Sequence, residues 1–155
     1  MANEQMRALF KKSKETPPSG GGVYINHAGQ FVLEVEELKG TQNFRGISSF
    51  IAGFKILESS LPEVHKVGSS ASWVAGYDKP STAGNVHAFF LALLPGQDVD
   101  ENGMMECIDE VKQPCAGMLI HLETAAILTQ AGKPFTKHIW IAVTDEEAAK
   151  HGQKN

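Results

Sequence analysis

The chain has 155 residues and a formal net charge of −4, with 42% hydrophobic and 21% charged residues. This length and composition are typical of one globular domain with a sizeable core, and they exclude an intrinsically disordered chain. The negative net charge argues against a uniformly cationic coat for duplex DNA. It leaves a local basic groove open, because binding depends on clustered charge and not on the sum.

The first 22 residues predict a flexible basic arm. Arg7, Lys11, Lys12 and Lys14 are followed by two prolines and three glycines that end at Gly22, a composition typical of a linker or terminus. A solvated arm is the favoured interpretation, with phosphate contacts as the alternative. We therefore divide the chain into an arm over 1–22, a domain over 23–144 and a polar tail, or a short helix, over 145–155.

Three strand-like segments come first in the domain. In the first, Phe31 and Leu33 alternate with Gln30 and Glu34, the period of a half-buried strand. A glycine inside the second segment, Gly53, indicates a bulge or bend. The segments lie near residues 29–39, 47–58 and 68–75.

A helix and two further strands follow. From about Asn85 apolar residues recur at helical spacing, as in Val86, Phe89 and Leu93, which predicts a helix with one face in the core. The last strands are expected near 117–125 and 135–143. In the final strand, we assign Phe135, Ile139 and Ile141 to the buried face and Trp140 to the opposite face.

This order of elements is β-β-β-α-β-β, with the helix between the third and fourth strands. It is the order that a five-stranded OB barrel requires, so we expect a mainly β, α+β fold of that type. OB barrels commonly bind single-stranded nucleic acid or oligosaccharide on one sheet face and through two hairpin loops.

Catalytic motifs are not evident. There is no nucleophile elbow, no phosphate-binding glycine loop and no C-x-x-C pair, and the two cysteines are Cys107 and Cys115. We expect no enzymatic activity, no cofactor and no metal. One acidic segment partly matches a calcium loop and stays as an alternative, with ligands at Asp98, Asp100, Asn102 and Asp109.

Aromatic and basic residues fall where an OB barrel binds its ligand. Stacking on aromatic rings, with cations along the phosphates, is how proteins bind single strands without sequence specificity. The candidate nucleic-acid-binding residues are Lys39, Phe44, Arg45, Lys55, Trp73, Tyr77, Lys79, Lys133, Lys137 and Trp140.

Five segments resemble phage-encoded single-stranded DNA-binding proteins with an OB fold. They are GQFVLEVEELK at 29–39, FIAGFKILES at 50–59, VGSSASW at 67–73, GNVHAFF at 84–90 and GKPFTKHIW at 132–140. The resemblance implies a protein that protects single strands during DNA replication or recombination, without catalysis. It also implies replication or recombination proteins as partners. The residues after Thr144 lack the acidic, aromatic-tipped end that many such proteins use for recruitment.

The sequence also predicts a cellular location and allows an alternative function. No apolar run approaches the ~18 residues of a membrane span, and the basic start is not followed by the apolar segment of a secretory signal. We expect no membrane partner and a cytoplasmic location, in the host cell if the chain is phage-encoded. The alternative function is a structural or assembly protein of a virion or tail, which uses the barrel for protein contacts, including self-association.

Overall fold

A computed structural model of the protein describes residues 23–42, 46, 48–77 and 81–151. The arm predicted over 1–22 therefore lies outside the described residues. The strands are β1 (Val23–Tyr24), β2 (Gly29–Gln42), β3 (Ser48–Ser59), β4 (Ser70–Gly76), β5 (Leu119–Leu128) and β6 (Pro134–Ile141). Three helices occur in the described residues: α1 (Thr82–Leu93), α2 (Glu101–Cys107) and α3 (Asp145–Lys150). The predicted mainly β, α+β fold is confirmed, and β1, α2 and α3 lie outside the predicted β-β-β-α-β-β order.

The strands form one sheet in the order β1-β4-β3-β2-β5-β6. All neighbouring pairs are antiparallel except β1 with β4, which pair in parallel. The five long strands therefore run β4-β3-β2-β5-β6, and no ladder joins β4 to β6. The sheet is not closed by hydrogen bonds, so the structure supports the fold class and leaves the barrel unconfirmed.

The sheet is irregular in the ladder between β2 and β3, with one extra residue on each strand, Glu36 on β2 and Leu57 on β3. Register shifts against β3 fall between Val32 and Leu33 and between Val35 and Glu37. Such bulges add local twist and bend the strand that carries them. The second shift lies beside Gly53, where the sequence predicts a bulge or bend: Phe54 pairs with Val35 and Gly53 pairs with Glu37, so the extra residue is Glu36 on β2.

The core lies between the inner face of the sheet and α1. Phe89 is fully buried on α1, and its ring centroid lies 5.6 Å from Phe50, 5.6 Å from Trp73 and 5.0 Å from Trp140. Ring pairs at these separations add to the stability that comes from area burial alone. The helix therefore covers one end of the sheet, as its apolar stripe predicts.

The two faces of β6 are the reverse of the prediction. Trp140 is 8% exposed and belongs to the core, whereas Phe135 and Ile141 are 46% and 41% exposed. Both faces of this strand carry apolar residues, so alternation alone does not say which one is buried. The structure places the larger indole inside, where it meets Trp73 on β4.

The segment that begins with β1 spans the gap between β4 and β6. β1 pairs with β4 on one side. On the other side the Thr136 hydroxyl on β6 donates to the Asn26 carbonyl at 3.0 Å, and the Tyr24 hydroxyl lies 3.4 Å from Nδ1 of His138. The edges of β4 and β6 thus do not pair with each other, and this segment of chain connects them instead.

The predicted polar tail contains helix α3. Its N-cap, Thr144, forms a capping box with Glu147, in which each side chain accepts a hydrogen bond from the other's backbone N–H. His121 on β5 lies 2.9 Å from Glu147, and His151 lies 2.8 Å from Glu58 on β3. These pairs hold the helix against the sheet. Among the described residues, no helix has the length and apolar character needed to cross a membrane.

Candidate nucleic-acid interface

The structure separates the ten predicted site residues into different environments. Phe44, Arg45 and Lys79 lie outside the described residues. The remaining seven divide between the core, the outer face of β2 and β3, the end of β4, and the β5–β6 hairpin.

The two predicted tryptophans lie in the core. Trp73 is 6% exposed and Trp140 is 8% exposed. Their rings contact each other and also pack on Phe89. Stacking needs a ring face that a base can reach, and these rings offer none without opening the core. They are therefore not part of the interface described below.

Lys39 and Lys55 lie among carboxylates. Lys39 Nζ is 3.5 Å from Glu37 Oε1. Lys55 pairs in register with Glu34 on one side and Ser70 on the other, and the Ser70 hydroxyl donates to Glu36 at 3.4 Å. Carboxylates at these positions oppose a phosphate as much as the lysines attract it. This face of β2 and β3 is therefore poorly suited to binding the phosphates of a nucleic-acid strand.

A groove of about 610 Å³ lies between β1, β4 and the β5–β6 hairpin. Four large apolar side chains are exposed at its surface, with fractions of 40% for Tyr24, 49% for Val74, 41% for Ile127 and 46% for Phe135. An exposed group of this kind on a protein surface marks a binding site more often than isolated apolar residues do. We call it the hairpin groove.

Tyr24 is held in place at one wall of the hairpin groove. Its ring centroid lies 5.0 Å from that of His138, and its hydroxyl lies near the same imidazole. Burial raises the pKa of Tyr24 above its usual range, so the phenol is neutral at physiological pH. A neutral ring with an exposed face is suited to stacking and does not repel phosphate.

Phe135 and Lys137 share one face of β6, because side chains alternate along a strand. The turn before them is tight: Gly132 has φ of 76°, a conformation that favours glycine. The backbone N–H of Lys133 donates to the Thr129 hydroxyl at 3.1 Å. Both lysines of the hairpin are exposed. The hairpin therefore presents one aromatic ring between two cations.

The segments that form this groove contain no carboxylate. Residues 23–33, 64–77 and 124–143 include no Asp or Glu, whereas the chain as a whole carries 18. Within the hairpin itself the one carboxylate is Glu123 on β5, which pairs with Ile139 and so lies on the same face as Lys137, diagonal to the Ala125–Lys137 pair. A local positive potential is thus compatible with a net charge of −4, because the acids are concentrated elsewhere in the chain.

Tyr77, at the end of β4, belongs to a different groove. It lines a space of about 520 Å³ together with Phe50, Met105 and Ile108. Burial raises the pKa of Tyr77 as well. The structure thus places Lys133 and Lys137 beside the residues of β6 that line the hairpin groove, Pro134 to Thr136, and leaves Tyr77 outside that groove.

Sequence reasoning missed Tyr24, Val74 and Ile127. β1 has only two residues, too few to show an alternating pattern, so Tyr24 gave no strand signal. The usable signal was the absence of acids over 124–143, which is visible in the sequence and singles out this hairpin among the others.

The calcium alternative meets a different local structure. Asp100 is the N-cap of α2, and its Oδ1 accepts from the Gly103 N–H at 2.8 Å. Asp109 accepts two backbone hydrogen bonds at 3.0 Å, from Val111 and Lys112. A helix thus replaces the expected loop. The described part of the chain holds no group of three or more His, Cys, Asp or Glu placed to bind a metal ion.

No protein-family model matches the chain, and no curated protein matches it significantly.

Proposed function

We propose that this protein binds single-stranded DNA, without sequence specificity and without catalysis, and acts in DNA replication or recombination. The observation that carries the proposal is the hairpin groove. There, two exposed aromatic rings line one groove, and two exposed lysines flank one of these rings on a hairpin whose single carboxylate is Glu123.

Base stacking is the first contribution. Tyr24 and Phe135 line the same groove and each exposes close to half of its side chain. Stacking of a base on an aromatic side chain is worth ~1–3 kcal/mol and tolerates any base, since every base has a π face. Val74 and Ile127 supply apolar surface between the rings.

Phosphate contact is the second contribution. Lys133 and Lys137 are exposed and flank Phe135 along the hairpin. Each neutralised phosphate of a single strand contributes ~0.7 to the slope of log K against log salt. Two such contacts therefore predict a slope of about −1.4 from these lysines alone.

The fold we propose for this function is an OB-type barrel that is partly open. It is supported by the strand order, by the contacts of Tyr24 and Asn26 with β6, and by α1 at one end of the sheet. In this arrangement the segment after the arm fills the seam between β4 and β6. The hairpin groove then lies beside that seam.

The test is a titration of fluorescein-labelled oligo-dT, followed by anisotropy at several salt concentrations. We expect binding at low salt that weakens as salt rises, and weaker binding of a duplex of equal length. The double variant Lys133→Glu, Lys137→Glu should lower the affinity at least ~10-fold and flatten the salt slope.

The matched control is Lys39→Glu, Lys55→Glu, which makes the same charge change among carboxylates. It should lower the affinity much less than the hairpin pair. Absence of binding by folded wild-type protein at low salt rejects the proposal. Equal losses in the two double variants reject the hairpin groove as its site. A large, salt-insensitive homo-oligomer that is indifferent to DNA would support the structural or assembly role instead.

A further inference from the structure

The second groove, where the β2–β3 hairpin meets α2, has a volume of about 520 Å³. Phe50, Tyr77, Met105 and Ile108 supply its apolar surface. Tyr77 is 48% exposed and Met105 is 61% exposed, so two large side chains face solvent in one depression. Patches of this kind mark interaction surfaces. We call it the α2 groove.

The floor of the α2 groove is closely packed. A Cβ on Gly40 would lie 3.2 Å from Cδ1 of Ile108, so the glycine allows the residue that ends α2 to approach β2. Cys107, its neighbour, is 7% exposed and belongs to the core. Met105 is the adaptable element, because its unbranched thioether side chain fits apolar partners of varied shape.

The segment that contributes Met105 and Ile108 to the α2 groove is acidic, and we call its carboxylates the rim. Residues 98–110 contain six carboxylates and no Lys, Arg or His. Glu101 lies one helical turn before Met105, on the same side of α2. The Lys112 and Val111 N–H groups donate to Asp109 and lower the pKa of that carboxyl. An apolar floor with a negative rim is complementary to a segment that carries both apolar and cationic side chains.

The chain itself contains one segment of that chemistry. Residues 6–14 carry four cationic side chains, at Arg7, Lys11, Lys12 and Lys14, and three large apolar ones, at Met6, Leu9 and Phe10. We propose that residues 6–14 of the same chain dock in the α2 groove, with their apolar side chains on its floor and their cations against its rim.

The linking segment has the required length. β1 starts at Val23, which pairs with Ala71, and Tyr77 lies six residues further along the neighbouring strand. At ~3.3 Å per residue this separation is about 20 Å. The eight residues 15–22 span at most ~26–29 Å when extended, so this linker is long enough for residues 6–14 to reach the groove of their own chain. This docking does not depend on the proposed DNA binding and is tested without DNA.

The experiment follows the ε-methyl NMR signals of the methionines in protein labelled at that carbon, with the Met105 signal assigned by Met105→Leu. Deletion of residues 1–14, or the double variant Lys11→Glu, Lys12→Glu, should move the Met105 signal. Met118, which packs against the core, should keep its signal. Sodium chloride at 1 M should move the wild-type Met105 signal toward that of the deletion, because salt screens the rim charges.

The double variant keeps the full chain, and its circular dichroism spectrum is compared with that of the wild type to check that it folds. Lys133→Glu, Lys137→Glu is the matched control, since it makes the same charge change away from the α2 groove and should leave Met105 unmoved. An unchanged Met105 signal in both arm variants overturns the proposal. So does a shift that disappears on dilution, because it assigns the segment to a second copy of the chain.

Discussion

The indoles of Trp73 on β4 and Trp140 on β6 lie 4.9 Å apart, centroid to centroid, across a gap that no backbone ladder crosses. On the inside of this gap, β4 and β6 are therefore held together by side-chain packing, whereas neighbouring strands elsewhere in the sheet are joined by backbone hydrogen bonds. Outside it, Tyr24 approaches His138 from the segment after the arm. The seam between β4 and β6 thus depends on a few aromatic residues.

Truncation of Trp140 should be among the most destabilising single changes in the chain. Its ring contacts Phe54, Trp73 and Phe89, and Trp→Ala at such a core site costs ~3–5 kcal/mol of unfolding free energy. Trp140→Phe should cost less. It keeps an aromatic ring and removes a buried indole N–H that has no partner among the described residues.

Urea denaturation of the variants measures these differences. Phe135→Ala is the matched control, because Phe135 is an exposed aromatic residue on the same strand. Its expected change is within about 0.5 kcal/mol, as for other surface sites. A similar loss at positions 135 and 140 would contradict the face assignment of β6.

The pH dependence of stability should have a contribution from His138. Burial lowers the pKa of His138 below its usual 6.5, since the ring lies among Tyr24, Trp73 and Trp140. Between the two pKa values the unfolded chain binds the proton and the folded chain does not. This contribution is therefore fully present above pH 6.5 and is lost as the pH falls through the folded pKa.

We expect the unfolding free energy of wild-type protein to fall on acidification from pH 7 to pH 5, and His138→Gln to reduce that dependence. Thermal or urea unfolding over this range measures both. His151→Gln is a control at a partly buried histidine away from the seam, which pairs with the Glu58 carboxylate. If the unfolding free energy of His138→Gln still falls with pH as steeply as that of the wild type, His138 is not the source of the pH dependence.

The order of the long strands and of α1 was predictable, because hydrophobic periods of two and 3.6 residues are local signals. The way in which β1 closes the gap between β4 and β6 was not predictable from the sequence. β1 is too short to show a period, and its partner Ala71 lies 48 positions beyond Val23. The sequence was equally unable to place Trp140, a predicted site residue. Both faces of β6 carry apolar residues, and only tertiary packing on Phe89 decides which face is buried.

The two cysteines should react slowly with thiol reagents in the folded protein. Cys107 and Cys115 are buried and free, and burial, with the neighbouring Cys107 thiol, raises the pKa of Cys115 to about 12. The thiolate is the reactive species, so at pH 8 almost none of Cys115 is available. Ellman's reagent should find two thiols in denaturant and far fewer, on the same timescale, in buffer. Rapid modification of both in buffer would contradict this packing.

Phe135→Ala separates stacking from phosphate contact in the hairpin groove. Loss of one stacked base should weaken oligo-dT binding by ~1–3 kcal/mol, which is roughly 5- to 150-fold, and should leave the salt slope unchanged. Lys137→Gln, two residues away on the same face of β6, should instead reduce the slope by ~0.7. Anisotropy titrations of both variants at four or more salt concentrations measure affinity and slope together.

Tyr77→Ala is the aromatic control, because Tyr77 lines the α2 groove and its loss should leave both the affinity and the salt slope near the wild-type values. A Phe135→Ala variant that binds as wild type, while Tyr77→Ala does not, would move the stacking site to the end of β4.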